Sequence, residues 1–79
     1  MVYLEFVSDD GDRVVYDYMP QREDAPRGTL FVSRSDGQRG LIKKSPADDW
    51  SEYRGKAWSL IEHMIREGNL KEKTWAAWY

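Results

Sequence analysis

Asp-Gly occurs twice within residues 1–40, at Asp10-Gly11 and Asp36-Gly37. "YLEFV" (3–7) and "RVVYDYM" (13–19) bracket the first pair, "TLFVSR" (29–34) and "RGLIKK" (39–44) the second. The flanking runs are rich in β-branched and aromatic residues, which suit a pleated, half-buried surface. Asp-Gly accepts the positive φ that a tight hairpin turn demands. Two such hairpins predict an antiparallel sheet, because neighbouring strands are joined by short turns. Pro20 closes the second strand, since proline cannot donate to a ladder. The stretch "PQREDAPRG" (20–28) is polar, holds two prolines and lacks periodicity, so it reads as the most mobile internal loop.

One helix follows. Ser45 reads as its N-cap, Pro46 as its first helical residue and Asp48 as the acid of a capping box. Asp48, Asp49 and Glu52 put negative charge at the positive end of the helix dipole. Gly68-Asn69 is a C-cap signal. At 100° per residue, Trp50, Tyr53, Ala57, Leu60, Ile61, Met64 and Ile65 share one arc, with Trp58 on its margin. Arg54 falls inside that arc, where it is expected to pair with Asp17 or Glu5 or to lie along Trp50 or Trp58. The predicted architecture is α+β: a four-stranded antiparallel β-meander followed by one α-helix packed across one face, with an aromatic C-terminal tail. The whole chain, 1–79, reads as a single domain.

The chain has no cysteine, so neither disulfides nor a Cys-based zinc site can supplement a thin core. Its core must come from apolar side chains, among them four Trp, five Tyr and two Phe. The formal net charge of −2 argues against a nucleic-acid binder by bulk charge. The N-terminus "MVYLEFVSDD" lacks the basic region and long apolar stretch of a signal peptide, and no run is long enough to cross a membrane. A cytoplasmic location is the default expectation.

No catalytic constellation is visible. His63, the one histidine, projects from the polar side of the helix, so a His-based metal site or a triad lacks its partners. "DDGD" (9–12) has acids beside a glycine, but the spacing is not that of a calcium loop, and a hairpin turn accounts for it. No glycine pattern matches a phosphate loop. The expectation is a protein that is not an enzyme and uses no cofactor and no metal.

Two features are left over. Trp75, Trp78 and Tyr79 crowd the end "WAAWY", where they either close the core or offer an aromatic surface, and Trp58 adds to the surplus. Trp and Tyr dominate the energetics of protein interfaces. Arg34, Arg39, Lys43 and Lys44 cluster on the second hairpin. Such cations track a phosphate backbone in some proteins and protect an edge strand in others.

The residues Glu5-Phe6, "YDYMP" (16–20), Gly28, the helix around Ala57 and Ile61, and the closing "AWY" (77–79) give the chain a resemblance to a family. It resembles a set of small bacterial proteins without known activity, some carried on phage or other mobile elements. That family has a histidine before the helical alanine, where this chain has Lys56. The resemblance implies no catalytic residue, and it favours a role for the terminal aromatics.

Two functions therefore stand as expectations. The first is a small, non-enzymatic protein-interaction module that binds an unknown protein, or itself, through Trp58, Trp75, Trp78 and Tyr79, as a monomer or weak homodimer. The alternative is a nucleic-acid-binding accessory protein that uses Arg34, Arg39, Lys43 and Lys44.

Overall fold

The computed structural model describes residues 1–49 and 52–77. The order of elements is β1 (Val2–Asp9), β2 (Arg13–Pro20), β3 (Gly28–Ser33), β4 (Arg39–Lys43), α1 (Glu52–Glu67) and β5 (Lys73–Ala76). They form one antiparallel sheet in the order β4-β3-β2-β1-β5, with α1 across one face. The α+β class and the antiparallel sheet agree with the sequence reading. The strand number does not: there are five strands, and residues 73–76 of the expected tail form the fifth, paired with β1.

Both Asp-Gly turns form where the sequence places them. Gly11 and Gly37 have φ of 98° and 72°, a region open to glycine and costly for most other residues. The first turn is built on its own acids. Asp9 Oδ1 accepts from the Gly11 N–H, and Asp10 Oδ1 from the N–H groups of Asp12 and Arg13. Asp12 then ties the two hairpins together by accepting from the Ser33 hydroxyl at 2.8 Å and the Ser35 N–H at 2.9 Å.

Alternation along the strands sends one set of side chains to the helix. Val2, Leu4, Val14, Tyr16, Tyr18, Leu30 and Val32 meet Ala57, Ile61 and Met64 in the core. Tyr53, Trp58, Leu60 and Ile65 flank that contact, which matches the predicted arc. Trp50, also expected on the arc, lies outside the described residues, as do Trp78 and Tyr79. The helix ends in a Schellman motif: the Asn69 N–H bonds Met64 O and the Gly68 N–H bonds Ile65 O.

The fifth strand has a physical cause. A strand at the middle of a sheet must pair on both sides, and β1 has apolar side chains on both faces. The tail supplies its second partner, with Tyr3 opposite Trp75 and Glu5 opposite Lys73. The Phe6 N–H continues the ladder to Glu72 O at 2.8 Å. The buried Tyr16 hydroxyl donates to Lys71 O at 2.6 Å and so fixes the approach to β5 from the core side.

The helix start also differs. Ser45 is buried and caps a turn, not the helix: its hydroxyl donates to Pro26 O and accepts from the Ala47 N–H, while its carbonyl accepts from the Asp48 N–H. Arg54 pairs with Asp48, not with Asp17 or Glu5. Those two acids are taken by Arg27 instead. The 20–28 loop is pinned at several points, since Ala25 is buried and Arg22 O accepts from the Ala25 N–H. No helix among the described residues is long and apolar enough to cross a membrane.

Candidate functional site

One helix covers one face of a five-stranded sheet, and the other face carries the alternate residues of each strand. The register places Trp75, Tyr3 and Met19 side by side across β5, β1 and β2. The next row is Lys73, Glu5, Asp17, Thr29 and Lys43. Farther along, Val15 lies opposite Phe31, and Arg13 stacks on the Phe31 ring at 4.3 Å.

The polar loop between β2 and β3 reaches over part of this face. Arg27 donates to Glu5 Oε2 at 2.9 Å and to Asp17 Oδ2 at 3.1 Å, and Thr29 donates to Asp17 Oδ1 at 2.7 Å. The hydrogen bonds that Arg27 donates, to Glu5 first and then to Asp17, hold its guanidinium above its ordinary pKa. Three ionised groups in a half-exposed position thus lock the loop to the sheet. Met19 is left only 3% exposed.

Between this loop and β5 runs a groove of about 210 Å³. Tyr3, Glu5 and Met19 form its floor, Glu23 and Arg27 its loop side, and Lys73 and Trp75 its edge side. Trp75 is 57% exposed, the most exposed aromatic among the described residues. Neither Glu23 nor Lys73 has an ion pair among the described residues. The groove therefore offers the rings of Tyr3 and Trp75 over a buried methionine, with Glu23 and Lys73 as its charges free of ion pairs among the described residues. This chemistry suits one or two side chains of another polypeptide.

Of the four expected aromatic site residues, Trp78 and Tyr79 lie outside the described residues, and Trp58 and Trp75 are not brought together. Trp58 is half-buried on α1, on the other face of the sheet. Its Nε1 donates to Gly40 O at 3.3 Å, and the Arg39 guanidinium lies 5.8 Å from its ring. It fastens the helix to β4, at the opposite sheet edge from Trp75. Glu23, Arg27, Tyr3 and Lys73 belong to the groove and were not singled out from the sequence. The pairing of Tyr3 with Trp75 depends on a strand that the sequence reading missed.

Two of the four cations on the basic hairpin are neutralised. Arg34 makes a two-pronged contact with Asp9, at 2.5 and 2.9 Å. That contact, with a smaller part from the Gly11 N–H, lowers the Asp9 pKa to about 2. Arg39 does the same with Glu62, at 2.9 and 2.7 Å, and lowers the Glu62 pKa. Lys43 and Lys44 are exposed and have no ion pair among the described residues. Lys43 lies on the helix-free face and Arg39 on the helix side, so the four cations do not make one surface.

A second polar cluster is enclosed. Asp48 is fully buried and accepts from the Tyr18 hydroxyl at 2.9 Å, while Arg54 Nε lies 3.1 Å from the same oxygen. The Ser45 N–H donates to the Tyr18 hydroxyl at 3.0 Å. Desolvation pushes the Tyr18 pKa up to about 12. These residues do not line the groove and join the sheet to the segment before α1. No three or more His, Asp or Glu residues among those described are grouped to hold a metal ion. His63 is exposed, 4.0 Å from Glu67.

Compared with known proteins, the chain matches no family model, no curated protein and no solved structure.

Proposed function

We propose that this protein is a small, non-enzymatic protein-interaction module that binds through the groove beside β5, with Trp75 as its anchor. The observation that carries the reading is a tryptophan 57% exposed at the rim of a groove floored by Tyr3 and Met19. A large aromatic left in water at a preformed groove is the kind of residue that dominates binding energy once a partner buries it. The groove is already shaped before binding, because Arg27 is held by Glu5 and Asp17. Preorganisation of that kind lowers the entropy lost on association. The same two ion pairs occupy the carboxylates that acid–base chemistry would need. The neutralisation of Arg34 and Arg39 counts against the nucleic-acid alternative.

The test is selection of displayed random peptides on the wild-type chain, with removal of those that also bind Trp75→Ala. Recovery of peptides that need Trp75, together with unchanged binding by Ile42→Ala as a surface control, supports the reading. If every recovered peptide binds the Trp75→Ala variant equally, the groove is not the binding surface.

A further inference from the structure

The outer edge of β5 adds a second element to the groove. In an antiparallel ladder, the backbone groups of successive residues point alternately toward and away from the neighbouring strand. The Phe6 N–H bonds Glu72 O, and the register pairs Leu4 with Thr74 and Val2 with Ala76. The inward-facing residues of β5 are therefore Thr74 and Ala76. The outward-facing ones are Lys73 and Trp75. The bond from the Gln21 N–H to Met1 O fits the same alternation, since it turns Met1, Tyr3 and Glu5 toward β2. Thus the two β5 residues whose side chains line the groove also present their N–H and C=O groups to the outside.

The two sheet edges are not equivalent. β4 carries a bulge in its pairing with β3 and the cations Arg39 and Lys43, with Lys44 next in sequence. Bulges and basic residues are the common means of keeping an edge strand from pairing. β5 pairs with β1 in an unbroken register and carries a single charge, Lys73. The receptive edge is β5.

We propose that β5 accepts an added antiparallel strand from an extended peptide, with an apolar β-forming residue opposite Trp75 and an acidic residue two positions later, opposite Lys73. This proposal rests on the reading of the groove as a binding surface and specifies what fills it. The peptide exchanges two hydrogen bonds with Trp75 and two with Lys73. Its side chains at those positions fall on the helix-free face, beside the groove. Charge selects the occupant. A second copy of this chain paired about Trp75 sets Ala77 opposite Lys73 and adds no counter-charge on the outer side of the ammonium, while Glu5, on the inner side, is already held by Arg27. An acidic residue there supplies one. Directly opposed charges change a pairing equilibrium by about two- to five-fold.

The experiment uses the same displayed peptide library on the full chain, with Lys73→Glu as a second target. The circular dichroism of each variant is checked first. Enriched peptides are then synthesised, labelled and titrated by fluorescence anisotropy, each beside a copy N-methylated at the amide opposite Trp75. The expected result is an apolar-x-acidic pattern for wild type, a shift to apolar-x-basic for Lys73→Glu, and loss of binding at least ten-fold on N-methylation. Peptides that need Trp75 but tolerate N-methylation, or that show no charge pattern, overturn strand addition and leave the groove reading standing. The absence of any Trp75-dependent peptide, with the chain monomeric at sedimentation equilibrium, overturns both. A sedimentation-equilibrium dimer that Trp75→Ala abolishes, without peptide enrichment, overturns the peptide in favour of self-pairing.

Discussion

The hydroxyl of Tyr18 and the carboxylate of Asp48 meet 2.9 Å apart with both side chains fully buried, and this bond joins the central sheet to the segment that leads into the helix. The same hydroxyl accepts from the Ser45 N–H, so one oxygen satisfies a donor and an acceptor that have no access to water. Tyr18→Phe leaves both short of a partner. Removing one partner of a buried polar group costs about 1–3 kcal/mol. In a domain of this size each kcal/mol moves the melting temperature by roughly 4–8 °C. Thermal unfolding of Tyr18→Phe should show a drop of roughly 4–24 °C, with Trp75-dependent binding intact. A melting curve unchanged from wild type would mean that the Ser45–Asp48 turn is not held from the sheet.

Alkaline pH should unfold the protein through its two buried tyrosines. Burial raises Tyr16 and Tyr18 from an ordinary value of 10.0 to about 12. A raised folded-state pKa means that the fold favours the neutral phenol. The resulting stability is complete below pH 10 and is lost as pH rises from about 10 to about 12. Each shift corresponds to roughly 2–3 kcal/mol, and together they are comparable to the whole stability of a small domain. Tyrosinate absorbance and circular dichroism followed through that window should change together. Ionisation of Tyr16 and Tyr18 near pH 10, with the fold retained, would contradict their burial.

Two glycines should respond in opposite directions to the same substitution. Gly55 lies within α1, and a Cβ there meets no atom within 4 Å. Gly55→Ala should stabilise the protein by about 1 kcal/mol, the difference in helix propensity. At Gly28 a Cβ would sit 2.2 Å from the Tyr18 ring, 2.6 Å from Ser45 N and 2.7 Å from Lys43 O. Two of those neighbours are backbone and cannot rotate away, so Gly28→Ala should destabilise by about 3 kcal/mol or more. Denaturant midpoints of the two variants provide the comparison.

What could be read from the sequence was local. The hairpins follow from Asp10-Gly11 and Asp36-Gly37 because turn chemistry acts within four residues. The helix end follows from Gly68-Asn69 for the same reason. The helix start was misplaced because the Ser45 hydroxyl is occupied by Pro26 O and the Ala47 N–H, a partnership across the fold. Arg54 takes Asp48 and leaves Glu5 and Asp17 to Arg27, because both pairings depend on how the 20–28 loop and the 45–48 turn pack. β5 escaped notice because it has only four residues and pairs with the other end of the chain. One signal was present: Val2, Tyr3, Leu4 and Phe6 give β1 apolar side chains on both faces, as a central strand has. Trp75 was legible as a surplus aromatic. The groove was not, since Tyr3 of β1, Glu23 and Arg27 of the 20–28 loop, and Lys73 of β5 meet it from three separate segments.

The alternation along β5 predicts a contrast between neighbouring proline substitutions. Thr74 turns its N–H toward β1, opposite Leu4, so Thr74→Pro removes a hydrogen bond inside the sheet. Lys73 turns its N–H outward, and proline is tolerated where a strand's N–H faces solvent. Thr74→Pro should therefore lower stability by about 1–3 kcal/mol, and Lys73→Pro by clearly less. The side chain of Trp75, more than half exposed, should contribute little to folding, so Trp75→Ala should melt within a few degrees of wild type. Binding to the groove should follow a different order. Lys73→Pro removes an outward donor, so it should abolish capture of an added strand while the domain stays folded. Thermal melts of the three variants, read beside peptide binding, separate the two roles of this strand. Equal destabilisation by Thr74→Pro and Lys73→Pro would mean that the outward edge of β5 is not as open as the ladder requires.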